Sequence, residues 1–162
     1  MSKGKQFVVA RLFFEKKGRM LALKRLGQGY SLPGGGAEKG ETIEDALQRE
    51  CEEEVGLRLK KKHLRLVHIV MERRQYTLVH VFFAVDAEHY ADQVLQIKEP
   101  HKFEYLTWID VQHPPQKMSR AVKLAIKRYA EGRLVSELTK LPEEEPLGLG
   151  GLNTLPIAED YW

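Results

Sequence analysis

Between Gly35 and Leu57 the sequence sets Gly35, Glu41, Arg49, Glu50, Glu53, Glu54 and Gly56 close together, a density of acids able to hold a divalent cation. Thr42 followed three residues later by Asp45 reads as a helix start and Val55-Gly56 as its stop, so the spacing predicts a helix over Ile43–Val55. At ~100° per residue, Glu50, Glu53 and Glu54 share an arc of ~100° that overlaps the apolar stripe of Ile43, Ala46 and Leu47. Glu52 points the other way, and with Asp45 and Gln48 supplies the solvated face. An acidic run on a helix is ordinarily solvated throughout. Carboxylates crowded on an inward arc, however, repel one another and resist desolvation unless a cation neutralises them. Oxygen ligands with no Cys or His cluster beside them suit Mg²⁺, with Mn²⁺ as the alternative, rather than Zn²⁺.

The segment before this helix, Pro33-Gly34-Gly35-Gly36, lets the backbone approach a ligand closely. A carbonyl or amide from it, at Gly35 in particular, can reach a metal or a phosphate. A glycine run alone is no more than a turn; coupled to the glutamate helix it becomes half of a site.

The whole stretch resembles the signature of the Nudix hydrolases, G-x5-E-x7-R-E-U-x-E-E-x-G-U with U aliphatic. It reads here Gly35, Glu41, Arg49-Glu50, Cys51, Glu53-Glu54, Gly56, Leu57. The one departure is Cys51 at an aliphatic position, where a small buried hydrophobe serves as well. At ordinary residue frequencies, a chance match in a chain of this size is on the order of one in ten million. The resemblance implies an α/β (α+β) fold, a Nudix-type αβα sandwich around a mixed central sheet. It also implies that Glu50, Glu53 and Glu54 coordinate divalent cations and that Arg49 holds a glutamate in place. Glu41, two turns before Arg49, is the natural bracing partner. The reaction implied is hydrolysis of a nucleoside diphosphate linked to another group, in which a metal offsets phosphate charge and a water attacks.

Glu99-Pro100-His101-Lys102-Phe103-Glu104, with Trp108 beyond, resembles a segment of the MutT-like nucleoside triphosphate pyrophosphohydrolases. There a loop carboxylate acts as general base on the attacking water. Glu99 fits that position and Glu104 is the second candidate, while Lys102 could touch a phosphate. The plainer reading, two surface acids and a core Trp108, stays open. Tyr30, just before the Pro-Gly-Gly turn, could stack on a base or simply pack. Arg73 and Arg74 are the basic pair placed to reach a polyphosphate. Tyr76 comes slightly late for the tyrosine of dinucleoside polyphosphate hydrolases, and Val70–Gln75 lacks the proline of ADP-ribose hydrolases.

The expected activity is therefore cleavage of a nucleoside triphosphate, damaged or non-standard ones included, to nucleoside monophosphate and pyrophosphate. ADP-ribose, dinucleoside polyphosphates and RNA 5′-triphosphate are the alternative substrates. A non-catalytic nucleotide-binding Nudix module is the alternative of another class, though such modules usually lose signature glutamates that are all present here.

The elements that must position these residues are legible in outline. A chain of 162 residues fits one domain with its own core. Phe7–Phe14 and Met20–Lys24 read as a hairpin turned at Lys17-Gly18. Leu64–Met71, Thr77–Val85 and Glu104–Ile109 have strand composition, and Ser119–Glu131 reads as a second helix. Residues 1–140 are expected to form the catalytic domain. Residues 141–162 form a linker-like tail, and its closing Tyr161-Trp162 suggests docking on the domain or on a neighbouring subunit. A homodimer is compatible with this. The net charge of +3 is too small to imply nucleic-acid binding, and the basic clusters read mainly as solvated faces. One cysteine excludes an internal disulfide framework. With no targeting segment or membrane span in evidence, a soluble cytoplasmic protein acting on a small-molecule nucleotide is expected.

Overall fold

The computed structural model describes residues 4–139. The tail expected at 141–162 lies outside them. The strands are β1 (Gln6–Lys16), β2 (Arg19–Arg25), β3 (Tyr30–Ser31), β4 (Gly34–Gly36), β5 (Arg65–Arg73), β6 (Thr77–Asp86), β7 (Phe103–Asp110) and β8 (Val135–Thr139), and the helices are α1 (Ile43–Val55) and α2 (Arg120–Ala130). Strand order is β3-β2-β1-β6-β5-β8, with β4 also on β1 and β7 also on β2. β1 runs parallel to β6 from Gln6↔Thr77 to Glu15↔Asp86, and β5 runs parallel to β8, while the other pairs are antiparallel. The sheet is thus mixed, as expected.

Alternation along β1 sorts its side chains onto two faces. Ala10, Leu12 and Phe14 join Leu47, Cys51 and Val55 of α1 in one core layer, whereas Phe13 joins Ala121, Val122, Ala125 and Ile126 of α2 in the other. One helix therefore covers each face, giving the αβα sandwich. Among the described residues, no helix is long and apolar enough to cross a membrane.

The β1/β2 hairpin is shorter than the alternation suggested. After Lys17 and Gly18, both at positive φ, only Glu15↔Met20 and Lys16↔Arg19 pair across it. Beyond that point the strands part. β4 takes over β1 at Val9–Arg11, and β2 goes on to β3 and β7. This parting seats the glycine segment in the middle of the sheet, beside β1. The short β3 and β4 carry too few residues for a period-2 pattern to announce them, and β8, with no buried side chain, offers no apolar face to read.

Helix α1 has the predicted bounds because its stop signals are local. Thr42 Oγ1 accepts from the Asp45 N–H at 3.0 Å, Asp45 Oδ2 accepts from the Thr42 N–H at 3.3 Å, and Gly56 closes the helix at φ 73°. Bonds to Lys61 and Thr42 hold the Asp45 carboxyl down to about 2. Thr42→Ala should therefore cost about 1 kcal/mol of stability. Urea denaturation reads this directly, and an unchanged midpoint would mean the cap contributes nothing.

Candidate active site

Helix α1 presents Glu50 and Glu54 to the back of the glycine strand. They are 7% and 3% exposed, respectively. Glu54 Oε1 accepts from the Gly34 N–H at 2.7 Å. Gly35 lies so close to Glu50 that a Cβ there would meet its Cδ at 2.5 Å. Glycine at 35 is therefore a packing requirement of the buried carboxylate.

Glu53 differs from the expectation of three inward carboxylates. Its side chain is 50% exposed and turned to Arg49, with 3.3 Å between Glu53 Oε2 and Arg49 Nη1. It stands at the margin of the arc, next to Arg49, where a small helical rotation decides between core and solvent.

Arg49 gathers the acids around it. Its Nε and Nη2 donate to the two oxygens of Glu41 at 2.8 and 3.0 Å, Nη2 also to Gly36 O at 3.1 Å, and Nη1 to Glu50 Oε1 at 2.9 Å. One planar fork thus ties the glycine segment, Glu41 and Glu50 together, which a lysine cannot reproduce. The arginine bonds hold the Glu41 carboxyl below its ordinary value. Arg49→Lys should lower kcat or cation affinity ~10–100-fold. Steady-state kinetics with a Mn²⁺ titration checks this, and wild-type values of both would reduce Arg49 to a surface ion pair.

The loop after β6 brings in a third acid. The Lys98 N–H donates to Glu54 O at 2.9 Å, which moors the loop to the end of α1. Glu99 Oε1 is buried with no hydrogen-bond partner, while its Oε2 stands 3.5 Å from Lys102 Nζ. Burial pushes the Glu50 carboxyl up despite Arg49. Burial also pushes Glu54 well above the ordinary carboxylate range, against the charge of Arg11 and the Gly34 N–H, with Glu50 and Glu99 adding to the rise.

Among the described residues, no three Asp, Glu, His or Cys side chains are gathered at metal-holding distances. The donor chemistry nonetheless fits a hard cation. Two desolvated, mutually repelling carboxylates and one orphaned carboxylate oxygen offer all-oxygen donors, and the charges of Arg49 and Arg11 do not overcome the effect of burying the pair. Glu50 and Glu54 are the buried donors present for it, with half-exposed Glu53 on the same helix and Glu99 on the loop moored to its end.

The remaining candidates lie elsewhere. Tyr30 Oη and Tyr105 Oη share a hydrogen bond of 2.9 Å, and the rings meet edge to face. Glu104 is exposed on β7, and Trp108 packs against the α1-side core, with Phe14 at 5.9 Å. Arg73 pairs with Glu137 of β8 at 3.2 Å. Arg74 is bonded to Glu72, which is itself buried and bonded to His80 Nε2 at 3.0 Å. The structure thus joins these two arginines to other acids and not to the glutamate site. For Arg74 this replaces the solvated face expected of the basic clusters.

Arg11 of β1, outside the signature, is 1% exposed and donates from Nη1 to Leu32 O at 2.9 Å and to Gly34 O at 3.0 Å. The signal available in the sequence was a lone charge amid Phe7–Phe14, where every other side chain is apolar.

A family model described as NUDIX domain matches residues 4–129. The crystal structure of a MutT NUDIX hydrolase from Burkholderia pseudomallei is similar at a TM-score of 0.66 and 26% identity, over 76% of this chain and 97% of that one. A MutT protein from Methanosarcina mazei Go1 aligns at TM-score 0.66 and 14% identity, over 81% and 97%. A UDP-X diphosphatase aligns at TM-score 0.56 and 15% identity, over 85% and 69%. The last two likenesses concern the fold alone.

Proposed function

Because the chain belongs to the Nudix family of pyrophosphohydrolases, we propose that it uses Mg²⁺, or Mn²⁺ in its place, to hydrolyse a nucleoside triphosphate to nucleoside monophosphate and pyrophosphate. The observation that carries this reading is the buried Glu50–Glu54 pair behind the glycine strand, with the unpartnered Glu99 Oε1 alongside. The likeness of Glu99–Trp108 to the MutT-like segment is what favours the triphosphate over other nucleoside diphosphate derivatives, and the Burkholderia relative shares the MutT name.

When bound, the cation would be held by Glu50, Glu54 and Glu53 and would offset charge on the phosphate oxygens. The chain's own groups do the rest. Arg49 keeps Glu50 and Glu41 oriented, and the Gly34 N–H keeps Glu54 oriented. Glu99 takes a proton from the attacking water, a role its free Oε1 suits. The water oxygen bonds to phosphorus as the bridging P–O bond breaks, and the electron pair departs with the leaving phosphate. Tyr30 and Tyr105 offer an aromatic pair for contact with the nucleoside, and Lys102 a cation beside Glu99.

A Mg²⁺-supplemented screen of a nucleotide library, with products separated, tests the reading. Nucleoside monophosphate with pyrophosphate is expected. Cleavage of ADP-ribose, dinucleoside polyphosphate or 5′-triphosphorylated RNA with all triphosphates intact would overturn the substrate. Binding without any cleavage would overturn hydrolysis itself.

A further inference from the structure

An aliphatic residue at position 11 would complete the apolar face on which Phe13 of β1 lies, and burying a guanidinium there carries a desolvation cost of several kcal/mol. What offsets that cost is specific. Arg11 Nη1 takes the carbonyls of Leu32 and Gly34, and the N–H of the next residue, Leu12, takes Pro33 O at 2.9 Å. Three successive carbonyls of the glycine segment are thereby held by two successive residues of β1. The peptide in the middle of that clamp carries the Gly34 N–H that grips Glu54 at 2.7 Å. The Arg11 charge also reaches Glu50 and Glu54, countering the effect of burial on each carboxyl.

We propose that Arg11 is a positioning residue of the hydrolytic site, clamping the Leu32–Gly34 carbonyls so that the Gly34 N–H fixes the Glu54 carboxylate where a cation is bound. This rests on the metal-dependent hydrolase reading and adds a residue outside the signature to it. Arg11 acts through the glycine segment.

The test compares Arg11→Met, Arg11→Lys and a packing control, Val70→Ala, on the buried α2-side core. The readouts are kcat and KM, Mn²⁺ affinity by electron paramagnetic resonance without nucleotide, and hydrogen exchange at the Gly34–Gly36 amides. Arg11→Met should lower kcat and Mn²⁺ affinity ~10–100-fold, leave KM within a factor of about three, and speed exchange at Gly34. Arg11→Lys, which keeps the charge and part of the donor set, should recover part of each. Val70→Ala should lower Tm with kcat, Mn²⁺ affinity and Gly34 exchange unchanged. Wild-type values in Arg11→Met, or equal losses in Val70→Ala, would overturn the proposal. A wild-type protein that cleaved no nucleotide would overturn the hydrolase reading alone, since Mn²⁺ affinity and exchange would still separate the variants. Should neither Arg11 variant fold, the wild type is titrated with Mg²⁺ and followed by NMR. The Arg11 Nη and Gly34 amide signals should then move together, and an Arg11 signal that stays fixed would overturn the proposal.

Discussion

Glu54→Gln should abolish turnover while leaving the protein at least as stable as before. The expected fall in kcat is at least ~10³-fold, about 4 kcal/mol of barrier, because the amide removes a charge from the buried set while its oxygen can still accept from Gly34. Stability moves the other way. Burial raises the folded-state carboxyl of Glu54 above its unfolded value, so the folded protein retains a proton that the unfolded chain releases. The unfolding free energy then falls as pH rises from the ordinary carboxylate range through the raised folded-state value. Glutamine has no such dependence. In EDTA, the Tm advantage of the variant over wild type should be small at acid pH and open towards neutral pH. Near-normal kcat would remove Glu54 from the machinery, and a variant Tm below wild type at every pH would show that its charge is not a burden on the fold. Such a trade of stability for function is expected wherever like charges are held together for a ligand.

Gly34→Ala has the largest expected structural effect. Gly34 sits at φ 136°, and a Cβ there would stand 2.0 Å from Ala10 O and 3.0 Å from the Arg11 Cα. Both are backbone atoms of the central strand and cannot swing aside. Strain and displacement together should cost about 3 kcal/mol, a Tm lower by ~6–12 °C. Turnover should fall as well, since the Gly34 N–H would leave Glu54. Gly40→Ala is the informative comparison. Gly40 also has positive φ, 86°, but nothing within 4 Å of the added Cβ. It should cost about 1 kcal/mol and leave kcat unchanged. Thermal melts and initial rates of the two variants decide the matter, and equal losses would show that torsional strain, not proximity to β1, is what matters.

The sequence by itself determined the signature helix and the acids it carries. The Thr42–Asp45 cap, the Gly56 stop and the 3.6-residue period act within a few residues of one another, so α1 could be bounded without knowing what it packs on. The order of strand-like and helix-like segments suggested a sheet between helices, and the resemblance to the Nudix signature supplied the αβα class. Glu41 opposite Arg49 was also legible, being two turns away. Only the tertiary structure decided which acids are buried together. Glu50 and Glu54 lie under the glycine strand because β1 and β2 part after two pairs and let β4 in, a matter of register that one residue of slip would reverse. Glu53, at the edge of the arc, is half-exposed and turned to Arg49. Glu99 is brought to α1 by a loop moored at Lys98, Arg11 meets the glycine segment because β1 pairs with β4, and Arg74 turns to Glu72, which His80 of β6 holds. The Arg11 contact depends on strand pairing between segments far apart in the chain. Local periodicity carries no information about such pairing, because it sets which face a side chain takes and not which strand lies beside it.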